Sequence, residues 1–90
     1  MSCRQRVTIC NTLGLHARAA AKLVKQASAF SSEVFLEKDG QQVNGKSIMG
    51  VMMLAAAKGC ELTIITQGQD EHTALSALVE LVNTGFGEDT

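Results

Sequence analysis

Side chains alternate from position 5 to position 11, with Val7 and Ile9 on one face and Arg6 and Thr8 on the other. A two-residue period belongs to a strand with one face in a core, and it predicts a first strand over Gln5 to Asn11. Past Gly14 the period changes. Ala20, Leu23, Val24 and Ala27 recur at the i, i+3, i+4, i+7 spacing of an amphipathic helix, which starts two or three residues after Gly14 and runs to about Ala29. Val34, Phe35 and Leu36 mark a second strand from Glu33 to Lys38. Asp39-Gly40 then tolerates the left-handed conformations of a tight turn into a third strand, Gln41 to Asn44. Ser47 is placed to cap a short second helix whose apolar stripe is Ile48, Val51, Met52 and Ala55, and whose C-terminal end falls at Lys58-Gly59. Glu61 to Thr66 reads as a fourth strand. Asp70 caps a third helix with the stripe Ala74, Leu75, Leu78, Leu81 and Val82, which ends before Gly85; the closing Gly-Glu-Asp-Thr reads as a frayed acidic tail.

The order β-α-β-β-α-β-α contains no repeat, low-complexity stretch or linker, and it predicts an α+β, open-faced sandwich with three helices on one face of a four-stranded sheet. A right-handed crossover through the first helix leaves a gap between strands one and two. Strand four can fill it antiparallel to both, which yields the order 1-4-2-3; the ferredoxin-like order 4-1-3-2 satisfies the same pattern. With 90 residues, 46% of them hydrophobic and 19% charged, the chain suits a single domain, 1–90, around one core.

Charge narrows the partners. Eight basic and nine acidic residues are mixed along the chain for a net charge of −1, so no broad basic surface addresses nucleic acid or a membrane. No apolar run has membrane-spanning length and the N-terminus lacks the regions of a signal peptide, so a cytoplasmic location is expected. The odd set Cys3, Cys10 and Cys60 has no CxxC pair, and its spacing to His16 or His72 matches no zinc pattern; the thiols are expected reduced, with no metal and no cofactor. A ferredoxin-like metal-binding module would need such a cysteine loop. An RNA-binding module of βαββαβ type would need stacking aromatics, and the chain has no Trp or Tyr and only Phe30, Phe35 and Phe86.

One short stretch carries chemistry. In Leu13–Val24, LGLHARAAAKLV, Gly14 lets the backbone turn and puts His16 at or next to a helix N-cap. The unpaired N–H groups of a first turn, here those of Ala17 and Arg18, and the positive end of the helix dipole form an anion site, and the Arg18 fork suits phosphate oxygens. A neutral imidazole beside such donors can attack phosphorus. No carboxylate adjoins His16 in the sequence, and transfer to a neutral ring requires none. A surface histidine that only opens a helix is the plain structural alternative.

That stretch together with GKSIMGVMMLAAAKG, residues 45–59, resembles the histidine phosphocarrier (HPr) family of the bacterial phosphoenolpyruvate-dependent phosphotransferase system, and the likeness runs over nearly the whole chain. The resemblance implies that His16 is phosphorylated on Nδ1, that Arg18 and the first helical amides hold the phosphoryl group, and that the sheet order is 1-4-2-3. It implies a monomeric carrier with a phosphohistidine intermediate, not an enzyme turning over alone, with enzyme I as donor and IIA domains or proteins as acceptors. Ser47 matches the family's regulatory serine, the target of HPr serine kinase/phosphorylase, and Ile48, Met49 and Met52 fall where partners dock. NTGFGED resembles the nitrogen-branch member and SIMGVM the serine-regulated form, so both the sugar and the nitrogen branch stay open. The family usually reads His-x-Arg-Pro; Ala19 stands at the proline position, losing some pre-organisation, on the order of 0.4 to 1 kcal/mol. His72 has no family role and is expected to face solvent.

Overall fold

The computed structural model describes residues 2–88. Its elements follow the expected order: β1 (Cys3–Thr8), α1 (Ala17–Ser28), β2 (Glu33–Lys38), β3 (Gln41–Asn44), α2 (Ile48–Met53), β4 (Glu61–Gln67) and α3 (Glu71–Asn83), closed by a single 3₁₀ turn, Gly85–Gly87. The four strands form one antiparallel sheet in the order β1-β4-β2-β3, so the ferredoxin-like order is not adopted.

Register places apolar side chains opposite one another. Val7 pairs with Leu62, Leu36 with Ile64, and Val34 with Thr66. All six are buried and look toward the helices; the Thr66 hydroxyl is satisfied by the Glu71 carbonyl at 2.8 Å. On the open face Ile65 lies between Arg4 of β1 and Phe35 of β2, and Arg4 reaches across to Glu37 at 3.9 Å. The helices contribute Ala19, Ala20, Leu23 and Ala27 from α1, Val51 from α2, and Ala74, Leu78 and Val82 from α3 to the same core.

Several details differ from the sequence reading. β1 spans Cys3–Thr8 instead of running to Asn11, although Ile9 still exchanges bonds with Cys60 and Gly59 at 2.9 and 2.7 Å. α2 stops at Met53, because Ala55 takes φ 51, and Ala55 is exposed. Its expected buried stripe reduces to Val51: Ile48 and Met52 are exposed, and Leu54, just beyond the helix, fills the core instead. At the start of α3 the Asp70 carboxylate makes no cap bond but turns to the loop before β2, accepting from Ser31 N at 3.0 Å and Ser32 N at 2.9 Å and from the Ser32 hydroxyl. Finally, the expected frayed tail is ordered through Glu88: Phe86 is 1% exposed and joins the core, while Asp89 and Thr90 lie outside the described residues.

Candidate functional site

The loop between β1 and α1 is built around Gly14. Its φ is +65°, and a Cβ there would stand 2.5 Å from the Ala56 oxygen, so only glycine fits both the angle and the space. The same oxygen accepts the Leu15 amide at 2.8 Å, which seats Leu15 in the core and leaves Leu13 outside. The next residue, His16, is the N-cap of α1, extended at φ −74°, ψ 179°, with its carbonyl taking the Ala20 amide at 2.8 Å. Its side chain makes no cap bond to the helix. Ala17, Arg18 and Ala19 open the helix, and their N–H groups precede the first i→i−4 bond. Ala19 is fully buried.

The ring faces an open cleft lined by Leu13, His16, Ala17, Arg18, Lys22, Gly87 and Glu88. Arg18 is exposed and makes no ion pair or side-chain hydrogen bond among the described residues, so its fork is available to an anion in that cleft. His16, Ala17 and Arg18 thus line one cleft, with the Arg18 side chain exposed there.

Sequence reading missed Glu88. Its Oε2 lies 2.6 Å from His16 Nε2, and its Oε1 accepts from Asn11 Nδ2 at 3.0 Å. Asn11 and the His16 ring hold the Glu88 carboxyl below its ordinary range, against the opposing pull of burial. A carboxylate therefore does adjoin the histidine, supplied from 72 positions along the chain. The legible signal was Gly85-Phe86-Gly87: two glycines around an aromatic after a helix end reverse the chain, and here all three residues have positive φ.

Leu13, which lines the cleft, and Ile48, Met49, Met52 and Met53 of α2 are large exposed apolar side chains, Met49 at 74%. Ser47 caps α2 as expected, its Oγ accepting from Gly50 N at 3.1 Å. Away from the cleft, His72 is exposed but not alone: its Nδ1 is 3.2 Å from Cys3 Sγ, which also meets Glu71 Oε2 at 3.3 Å. Burial first, and then the Glu71 contact, push the Cys3 thiol up. The spacing rule that separated these residues saw only the chain, whereas α3 lies against β1. All three cysteines are free thiols.

An open-faced sandwich that presents a histidine at the N-cap of its first helix, among anion-binding donors, fits the class of small phosphocarrier domains. The family model described as the PTS HPr component phosphorylation site matches residues 3–84. A phosphocarrier protein HPr from Neisseria meningitidis is 54% identical over 85 residues, 94% of this chain and 96% of that one. Among solved structures, an HPr from Thermoanaerobacter tengcongensis superposes with a TM-score of 0.94 at 44% identity, covering 98% of this chain and 99% of that one. A structure described as an HPr dimer from the same organism gives 0.78 at 48% identity, with coverage of 91% and 94%. This chain belongs to the HPr family of phosphocarrier proteins of the phosphotransferase system.

Proposed function

We propose that His16 accepts a phosphoryl group on Nδ1 from phosphorylated enzyme I and passes it to IIA-type acceptors. The observation that carries this reading is the position of the ring: it caps α1 without a cap bond and shares its cleft with the Ala17 and Arg18 amides and the Arg18 guanidinium. In transfer the Nδ1 lone pair forms the new N–P bond while the bond from phosphorus to the donor breaks, its electron pair staying with the donor. The amides and the Arg18 fork offset the charge on the phosphoryl oxygens. The domain, residues 1–90, acts as a carrier without metal or cofactor, in the cytoplasm; none of the helices among the described residues is long and apolar enough to cross a membrane.

Partners dock over the cleft and over the exposed Ile48, Met49 and Met52 of α2, the helix that packs against α1. Ser47 is the site at which a serine kinase/phosphorylase regulates that contact, because a phosphate there puts charge at the edge of an apolar surface. The carrier works as a monomer, with the sugar and nitrogen branches distinguished by the acceptor it serves.

Incubation with phosphoenolpyruvate and enzyme I, followed by intact mass, tests the assignment. Wild type gains one acid-labile phosphoryl group, His72→Ala gains it equally, and His16→Ala gains none. Labelling of His16→Ala, or its loss in His72→Ala, refutes it. Sedimentation of the same samples reads the oligomeric state.

A further inference from the structure

We propose that Glu88 is a positioning residue of phosphoryl transfer: it holds the imidazole proton on Nε2 and so leaves Nδ1 as the atom that attacks phosphorus. This rests on the carrier reading of His16 and deepens it. A carboxylate can only accept a hydrogen bond, so the 2.6 Å contact to Oε2 places the hydrogen on Nε2. In a neutral ring the other nitrogen then carries the lone pair. Nδ1 makes no hydrogen bond among the described residues.

The carboxylate is built into place by a buried side chain and by its own backbone. Its side chain is only 9% exposed. Asn11, itself 1% exposed, gives one amide hydrogen to Glu88 at 3.0 Å and the other to the Gly14 carbonyl at 2.8 Å. In that orientation the buried Asn11 Oδ1 has no partner among the described residues, a desolvation cost offset by holding the carboxylate and the Gly14 turn together. The backbone before Glu88 is equally constrained: Phe86 sits at φ 58° with its ring in the core, and its carbonyl accepts from Lys22 Nζ at 2.7 Å. A non-glycine residue holds a left-handed conformation only where its surroundings over-determine it.

During transfer the Nε2 proton stays where it is. As the N–P bond forms at Nδ1 and the donor leaves with the electron pair of its broken bond, the doubly substituted ring becomes cationic. Glu88 lies against that charge and keeps its hydrogen bond; the return step reverses the same movements. The division of labour is that of a carboxylate orienting an imidazole and stabilising its cation in a catalytic triad.

Nitrogen-15 NMR of the His16 ring and single-turnover phosphorylation by phosphorylated enzyme I, on wild type, Glu88→Ala and Glu88→Gln, test the inference, with melting curves to establish folding. Wild type is expected to show the Nε2–H tautomer, and Glu88→Ala a mixture with transfer slowed about tenfold or more. Glu88→Gln, whose amide oxygen still accepts, keeps the tautomer but loses the charge and also slows. An unchanged tautomer in Glu88→Ala, or an unchanged rate in both variants, overturns the role of Glu88. Should Glu88→Ala fail to fold, the rate of Glu88→Gln decides: wild-type speed overturns the role. The tautomer is read without any donor, so a wild type that shows Nε2–H yet takes no phosphoryl group refutes the carrier reading instead.

Discussion

Gly14 is the residue on which the geometry of His16 depends. Its positive φ disfavours any Cβ, and the Ala56 oxygen that a Cβ would strike is the one that seats Leu15. Gly14→Ala therefore combines left-handed strain with overpacking against backbone, a loss of roughly 2 to 5 kcal/mol. Chemical denaturation reads that loss, and the surviving folded fraction should also transfer phosphate more slowly, because displacement of Leu15 moves the N-cap. A variant as stable as wild type would show that the loop relaxes without disturbing Ala56. Ala19 illustrates the opposite case: it departs from the usual family proline, yet it remains fully buried in the first turn of α1 and the helix begins where expected.

Between elements, Asp70 ties the start of α3 to the loop that follows α1. The Ser32 hydroxyl, above all, and the Ser31 amide hold its carboxyl down from 3.8 to about 2. A depressed carboxyl contributes stability that is full above its ordinary value and is lost as pH falls through the folded one. Asp70→Asn should therefore melt below wild type at pH 7, and the gap should close as pH falls from 3.8 toward 2. Melting curves of the two proteins across that range check it; a gap independent of pH would mean that the ionised carboxylate is not what joins α3 to this loop. A helix-capping role, the sequence expectation, involves the same side chain, but Ser32 is 38 positions away and only the packing of α3 beside that loop makes it the partner.

Across the whole molecule, four of the five large exposed apolar side chains among the described residues belong to α2. α2 is too short to bury a full stripe, so Met49 and Met53 stand at 74% and 65% exposure while Val51 alone anchors the helix. Met49→Glu touches no core contact and should leave stability within about 0.5 kcal/mol of wild type. If partners cover this surface, the substitution should weaken phosphorylation by enzyme I roughly five- to tenfold at limiting partner concentration, the loss typical of a contributing interface residue. Titration of the transfer rate against enzyme I measures it; wild-type rates throughout would move the docking surface away from α2.

The elements of this protein are set by neighbours in the sequence. The alternation that buries Val7 and Ile9, the Leu23 stripe, the Asp39-Gly40 turn and the Ser47 cap each depend on residues within a few positions, and all four are present, although β1 itself ends at Thr8. The same holds for the heart of the site, since Gly14, His16, Ala17 and Arg18 lie within five consecutive positions of one turn and helix start. Helix ends and distant partners follow different physics. Ala55 leaves the helical region and α2 stops short, while Leu54 takes the core position that the stripe assigned to its neighbours. Glu88 meets His16, Asp70 meets Ser32, and Cys3 meets His72 across separations of 72, 38 and 69 positions. No local period records such contacts. They arise because burying Phe86 swings the C-terminal turn back over the start of α1, and because α3 packs beside β1. The sequence by itself determined the histidine and its helix; only the tertiary structure decided which carboxylate holds the ring.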